Sequence, residues 1–171
     1  MEIGVPKEIK DQEFRVGLSP DSVRVLSDRG HAVFVETTAG VGAGFADGDY
    51  QSAGAKIVSR EPAWSRELVV KVKEPLPPEY DFLQNDQFLF TYLHLAADRP
   101  LTERLISAGT RAIAYETVEL TDGKIYRCNN KLAFKSGDAI RFHVIPQTDG
   151  YAYIMMSRVP AAKSPSSSLP S

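Results

Sequence analysis

The chain has 171 residues, of which 43% are hydrophobic and 25% are charged, and its formal net charge is −2. These values are typical of a globular protein with one ordinary domain and at most a small appendage. The sequence has no basic stripe and no acidic block, so it predicts neither a nucleic-acid partner nor a membrane-surface partner. No apolar run is long enough to span a bilayer. The start of the chain does not have the pattern of a signal peptide, and its one cysteine, Cys128, cannot form an internal disulfide. These features predict a cytoplasmic protein.

Over the first 118 residues, short apolar runs typical of strands alternate with stretches typical of helices. Strands are predicted at Ile3–Pro6, His31–Glu36, Lys56–Ser59, 68–73, 87–95 and Arg111–Val118. Helices are predicted from Ser19 and Pro20 to Gly30, up to about Ala53, at Glu61–Glu67, through Tyr80 and Leu83, and from Leu101 to Gly109. This alternation favours an α/β fold, a mainly parallel Rossmann-like or flavodoxin-like sheet with helices on both faces.

The pattern changes near Thr121. Short strands without helices are predicted at 124–128, 139–145 and 151–156, with a hairpin turn at Thr148-Asp149-Gly150. Residues 161–171 are rich in Ser and Pro and are predicted to be disordered. We therefore divide the chain into an α/β domain (1–120), a β-rich segment (121–160) and a tail (161–171).

Lys73 and His94 each lie near the predicted carboxyl end of an apolar strand. In open α/β sheets, ligands bind at this edge, and imidazole exchanges protons near neutral pH. Other interpretations remain open. Lys71 and Lys73 share a strand face, which an edge strand or snorkelling side chains would also explain, and a lone histidine in an apolar run is more often a core residue.

Arg15 follows the first predicted strand and precedes the first helix. Its guanidinium could clamp a carboxylate with two hydrogen bonds. A surface ion pair with Glu8 or Glu13 is an equally good interpretation of this position.

The glycine-rich stretch from Gly40 to Phe45 does not match the Gly-x-Gly-x-x-Gly fingerprint, because Phe45 stands where the third glycine belongs. We interpret it as a connecting loop that needs positive φ angles. The sequence has no credible dinucleotide fingerprint, phosphate-binding loop, zinc spacing or nucleophile elbow, so it predicts no cofactor-binding or metal-binding residues.

Several stretches resemble motifs of the N-terminal domain of the alanine dehydrogenase and nicotinamide nucleotide transhydrogenase family, and they follow one another in the same order as in that family. They are Met1–Lys10, Glu13–Pro20, Ala39–Phe45, Lys71–Pro75, Phe90–Ala96 and Ile113–Thr117. The resemblance covers residues 1 to about 120. It implies NAD-linked, reversible oxidative deamination of L-alanine to pyruvate and ammonia, with a small-molecule substrate.

The resemblance also implies site roles. Arg15 would hold the substrate carboxylate, Lys73 would contact its carboxylate or carbonyl oxygen, and His94 would be the proton donor and acceptor. Transhydrogenases resemble the same stretches but typically lack the lysine and histidine at these two positions, so Lys73 and His94 favour the alanine dehydrogenase side.

The resemblance ends near Leu120, before the NAD-binding domain of a complete alanine dehydrogenase. We therefore expect a truncated substrate-binding and catalytic domain with no NAD site of its own and little dehydrogenase activity alone. Apolar surface left uncovered would favour association, including a homo-oligomer. The alternatives are a transhydrogenase-like or stand-alone binding or regulatory module, and a subunit that associates with a full-length enzyme.

Overall fold

A computed structural model of the chain describes residues 1–117, with side chains through residue 116, and the backbone of residues 139–146 and 152–159. The chain divides into two compact units, Met1–Glu116 and Thr117–Ser171. The boundaries expected from the sequence at residues 120 and 160 remain predictions.

The first unit is built on a six-stranded sheet. Its strands are β1 (Glu2–Val5), β2 (Ala32–Glu36), β3 (Lys56–Val58), β4 (Leu68–Val70), β5 (Phe88–Thr91) and β6 (Arg111–Ala114). Their order is β3-β2-β1-β4-β5-β6, and every neighbouring pair is parallel. This confirms the predicted α/β fold. The chain builds outward from β1 to β3 and then returns to the other side of β1, so the strand order reverses between β1 and β4. Ligands bind at this topological switch point in open α/β sheets.

Four α-helices connect the strands: α1 (Pro20–Asp28), α2 (Asp47–Ser52), α3 (Arg60–Trp64) and α4 (Arg99–Ala108). As predicted, Ser19 caps α1, because its hydroxyl accepts the Ser22 N–H at 3.3 Å and proline follows it. Gly109 ends α4 in the left-handed conformation, with φ 70°. The turn predicted through Tyr80 and Leu83 is a 3₁₀ helix, Pro77–Phe82.

Two apolar clusters hold the helices against the sheet. The first joins residues of β1 and β2 to α1 and α2, with Val23 and Tyr50 fully buried. The second joins β4 and β5 to α3 and α4, and contains Trp64, Leu89 and Leu101. Trp64 also stacks on Phe82, with ring centroids 5.8 Å apart. Burying such large side chains favours folding by roughly 1.5–3 kcal/mol each.

Two strands are shorter than the sequence predicts. The strand expected at 68–73 ends at Val70, and the strand expected at 87–95 spans Phe88–Thr91. Two backbone hydrogen bonds still join the chain just after β4 and β5. The Lys71 N–H donates to the Phe90 carbonyl, and the Tyr92 N–H donates to the Val72 carbonyl. Beyond these bonds the backbone ladder between the two segments ends. Lys73 and His94 therefore lie in loops that leave the sheet, and their predicted placement within strands is wrong.

In the second unit, β7 (Ala139–Pro146) pairs antiparallel with β8 (Ala152–Val159). This confirms the hairpin predicted for this region. The turn at 148–150, the strand predicted at 124–128 and the tail at 161–171 lie outside the described residues. Within the described part of the chain, no helix has the length and hydropathy to cross a membrane, and no cluster of acidic, histidine or cysteine side chains could hold a metal ion.

Candidate active site

The three predicted site residues lie on loops that leave the carboxyl ends of three neighbouring strands. Arg15 lies on the loop after β1, Lys73 follows β4 and His94 follows β5. Because β1, β4 and β5 are adjacent and parallel, their carboxyl ends meet at one edge of the sheet. The fold therefore gathers these loops at the carboxyl edge of the sheet, where the loops after β1 and β4 flank the switch point and the loop after β5 lies next to them.

Gly17 allows the loop after β1 to cross the end of β4 at close range. A Cβ atom at this position would lie 2.5 Å from the Val70 carbonyl oxygen and 3.2 Å from the Lys71 nitrogen. Real Cβ atoms do not approach backbone atoms so closely, so only glycine fits here. This close crossing carries Arg15, two residues earlier, toward the loop that bears Lys73.

Arg15 forms a fork-like ion pair with Glu13. Its Nε donates to Glu13 Oε1 at 2.8 Å, and its Nη2 donates to Oε2 at 2.6 Å. These hydrogen bonds lower the pKa of the Glu13 carboxyl to about 2, although burial opposes the change, and the charge of Lys73 adds to the lowering. The Glu13 hydrogen bond in turn raises the pKa of Arg15, with a smaller contribution from Tyr92. The ion pair predicted as an alternative role for Arg15 is thus present, and the partner is Glu13.

Glu74 links the Lys73 loop to His94. One of its oxygens accepts a hydrogen bond from Lys10 Nζ, and the other lies 3.4 Å from His94 Nδ1. Burial is the largest single influence and raises the pKa of Glu74. The hydrogen bonds from Lys10, the backbone and His94, together with the charge of Lys10, outweigh it, so the net pKa is lowered. An ionised carboxylate therefore lies beside the imidazole at neutral pH. The Lys73 carbonyl is held separately by the Thr91 hydroxyl at 2.8 Å.

His94 occupies a left-handed turn with φ 50°. Its backbone N–H donates to Glu116 Oε1 at 2.8 Å, and the Leu93 N–H donates to the same oxygen at 3.1 Å. A non-glycine residue in this region is uncommon, and the carboxylate of Glu116 stabilises it by accepting both amides. The imidazole stacks on Tyr92, with centroids 6.0 Å apart and planes 15° apart, and its side chain is 53% exposed. The ring therefore contacts Tyr92 and Glu74 and remains half-exposed to solvent.

Lys71 does not share the environment of Lys73. Its side chain is fully buried and lies 2.7 Å from Glu79 and 3.3 Å from Glu8. Both sequence interpretations, an edge strand and a snorkelling side chain, are wrong for Lys71, because β4 lies between β1 and β5 and the ammonium is paired inside the protein.

Sequence reasoning did not assign Glu74 or Glu116 to the site. The position of Glu74 next to Lys73 was a usable signal, whereas nothing local indicates that Glu116 reaches His94.

The glycine-rich loop packs closely against Phe14 and Tyr50 of the protein itself. A Cβ atom at Gly42 would lie 2.9 Å from the Phe14 carbonyl oxygen, and one at Gly40 would lie 2.5 Å from the Tyr50 ring. Only Gly44 in this stretch has a positive φ, 86°, so the predicted need for positive φ holds at that position alone. These glycines allow close packing and do not fit a role in holding a pyrophosphate.

The first three-quarters of the chain is similar to known proteins. The family described as "Alanine dehydrogenase/PNT, N-terminal domain" matches residues 4–128, slightly beyond the end near residue 120 that the sequence indicated. The chain is 56% identical over 126 residues to alanine dehydrogenase of Staphylococcus epidermidis, covering 73% of this chain and 34% of that protein. It is 52% identical over 123 residues to alanine dehydrogenase 2 of Staphylococcus aureus, covering 71% and 33%. It thus spans about a third of the length of these relatives.

Solved structures give the same result. A structure of an L-alanine dehydrogenase is 70% identical with a TM-score of 0.72, and the match covers 73% of this chain and 35% of that one. A transhydrogenase from Sinorhizobium meliloti is 25% identical with a TM-score of 0.66, covering 69% and 34%.

Proposed function

The chain belongs to the family of alanine dehydrogenase/PNT N-terminal domains, and we propose that it forms the substrate-binding and acid–base part of an NAD-dependent alanine dehydrogenase site. The reaction is the interconversion of L-alanine with pyruvate and ammonia. The observation that carries the proposal is that the loops bearing Arg15, Lys73 and His94 leave adjacent parallel strands at the switch point of the sheet. The high identity to staphylococcal alanine dehydrogenases supports this assignment over a transhydrogenase.

Arg15 is proposed to hold the substrate carboxylate. A guanidinium offers two forks of N–H donors, and Glu13 bonds the fork formed by Nε and Nη2. The edge formed by the two terminal nitrogens can then receive the carboxylate of alanine or pyruvate, while Glu13 fixes the plane of the guanidinium. Such charge-assisted pairs favour a planar, two-oxygen ligand over other small molecules.

Lys73 and His94 are proposed to act on the other polar atoms of the substrate. The ammonium of Lys73 would donate a hydrogen bond to the carboxylate or carbonyl oxygen of pyruvate. His94 would give or take a proton at Nε2, because its Nδ1 faces Glu74 at 3.4 Å.

NAD is the cofactor of the proposed reaction, and it would accept hydride from the substrate. The glycine-rich loop from Gly40 to Phe45 does not fit a role in holding it, because that loop is packed against Phe14 and Tyr50. We therefore restrict the proposal to binding of alanine or pyruvate and to proton movement at His94. A cytoplasmic location remains part of the proposal and rests on the single cysteine, Cys128.

Calorimetric titration of the purified chain with pyruvate tests the proposal. We expect saturable binding, which Arg15→Ala and Lys73→Met each weaken about tenfold or more, because each removes a charge-assisted hydrogen bond. Arg111→Ala is the matched control. Arg111 is also a half-exposed arginine paired with a carboxylate, Asp86, but it begins β6 at the opposite edge of the sheet.

Circular dichroism should show that all variants fold like the wild type. A folded wild-type chain that takes up no pyruvate would refute the proposal, as would a loss of affinity in Arg111→Ala equal to that in Arg15→Ala. His94→Ala separates binding from proton transfer, since we expect it to weaken pyruvate binding less than Arg15→Ala does.

A further inference from the structure

Three ionisable side chains are buried together beside the Lys73 loop. Glu8, Lys71 and Glu79 have side-chain exposures of 2%, 0% and 1%. The Lys71 ammonium lies 2.7 Å from Glu79 Oε1 and 3.3 Å from Glu8 Oε2, and 5.4 Å from the centre of the Trp64 ring. Burying charges is costly, and apolar side chains of the same size often stabilise a core at least as well. Stability alone is therefore a weak explanation for this triad.

Each carboxylate uses its second oxygen to hold the backbone of the Lys73 loop. Glu8 Oε1 accepts the Val72 N–H at 2.7 Å, and Glu79 Oε2 accepts the Leu76 N–H at 2.9 Å. Val72 and Leu76 stand on either side of Lys73. Lys71 joins the two carboxylates, so the triad forms a continuous clamp with one end on Val72 and the other on Leu76.

The loop needs such a clamp because it has already left the sheet. β4 ends at Val70, and Pro75 has no N–H to donate. Glu8 takes the Val72 amide that a longer strand would have paired with a neighbour, and Glu79 takes the Leu76 amide at the start of the 3₁₀ helix Pro77–Phe82. Without them, the segment around Lys73 would keep the Thr91 hydroxyl on its carbonyl, the Tyr92 N–H on the Val72 carbonyl and the ion pair of Glu74 with Lys10.

We infer that Glu8, Lys71 and Glu79 are positioning residues, which fix the backbone of the Lys73 loop so that the Lys73 ammonium meets the substrate. This inference rests on the proposed function. The triad acts on the substrate only through the position of Lys73. It therefore sets the affinity for the substrate and the orientation of the Lys73 ammonium, and it takes no part in proton transfer.

The charge balance of the triad shows which variants separate positioning from charge. Two carboxylates face one ammonium, and burial raises the pKa of Glu8, as does Glu79, while Lys71 lowers it. Glu8→Gln removes the surplus charge but keeps an oxygen that can accept the Val72 N–H. Glu8→Leu has a similar volume and removes the acceptor, so the two variants differ in the hydrogen bond that the inference requires.

The test uses the full chain and pyruvate titration, with unfolding free energy measured in urea for each variant. We expect Glu8→Leu to weaken pyruvate binding by about tenfold, comparable to losing the Lys73 contact, and Glu8→Gln to keep the affinity within about threefold of the wild type. Gln87→Leu is the control. Gln87 is also buried and donates to the backbone carbonyls of Trp64 and Arg66, but it precedes β5 at the opposite edge. We expect it to change stability without changing affinity.

A second measurement does not depend on any variant. In the folded wild-type chain, the amides of Val72 and Leu76 should exchange with solvent as slowly as those of β4. Exchange at the rate of an open loop would overturn the inference, as would unchanged affinity in folded Glu8→Leu or an equal loss in Gln87→Leu. A wild-type chain that binds no pyruvate would instead refute the proposed function, and this inference with it.

Discussion

The ion pair between Glu13 and Arg15 gives a prediction whose size follows from the structure. The pKa of Glu13 is lowered from 4.5 to about 2, first by the hydrogen bonds from Arg15. A carboxyl with a depressed native pKa contributes stability above its unfolded pKa and loses it as the pH falls through its native pKa. The stabilisation is therefore present above about pH 4.5 and disappears between about pH 4.5 and pH 2.

The full pKa depression corresponds to about 3 kcal/mol, but Arg15 is 48% exposed and water screens the pair. We therefore expect about 1–2 kcal/mol at neutral pH, and Glu13→Gln should lose this contribution. Urea unfolding of both chains at about pH 6.5 and about pH 3 measures it. The unfolding free energy of the wild type should fall by about 1–2 kcal/mol more than that of the variant over this interval.

Glu103→Gln provides the matched control. Glu103 also pairs with an arginine, Arg99, at 2.7 Å, but both side chains are well exposed, at 62% and 89%. Exposed pairs of this kind contribute little, so its pH dependence should follow the wild type closely. If wild type and Glu13→Gln lose stability in parallel as the pH falls, the reasoning is refuted.

The same substitution has a consequence for the site. Without the carboxylate of Glu13, the Arg15 guanidinium must be ordered by the ligand, which costs about 0.5–1.5 kcal/mol. Pyruvate binding should therefore weaken by about twofold to tenfold in Glu13→Gln. Tighter binding in this variant would show instead that Glu13 competes with the substrate for Arg15.

Three further predictions concern the loops around the site. The pKa of Glu8 is raised in the folded chain. Its contribution to the unfolding free energy is therefore present below its unfolded pKa of 4.5 and is lost as the pH rises through the native pKa. In urea titrations, the stability of the wild type relative to Glu8→Gln should fall above about pH 4.5. Gly17→Ala places a Cβ atom 2.5 Å from a carbonyl oxygen of β4 and should lower the unfolding free energy by about 1–3 kcal/mol. Gly48→Ala is the control and should not lower it, because a Cβ atom there lies in open space. Equal effects of the two substitutions would contradict the steric explanation. Glu116→Ala removes the acceptor of the His94 amide and should accelerate its hydrogen exchange by about tenfold or more, and an unchanged rate would exclude this role.

Local patterns in the sequence were enough to predict the architecture. Alternating apolar runs and helix signals specify a parallel α/β sheet because a strand buried on both faces and a crossover helix each have a local signature. The cap at Ser19 and the stop at Gly109 were predictable for the same reason, since they depend on residues within one helical turn. The placement of Lys73 and His94 at the carboxyl edge followed from their position after apolar runs.

Only the tertiary structure decided where the strands end and what each charged side chain meets. The sequence predicts one continuous strand over residues 68–73, which would carry both Lys71 and Lys73. In the structure β4 ends at Val70, and Glu8, 64 residues before Val72, accepts the Val72 N–H that a longer strand would use in the sheet. His94 turns out of its strand because Glu116, 22 residues further on, accepts its amide. These bonds join residues far apart in the chain, and no local pattern encodes them. The sequence by itself determined the family, the sheet and the residue types of the proposed site, whereas only the tertiary structure separated Lys73, half-buried on the loop after β4, from Lys71, fully buried between Glu8 and Glu79.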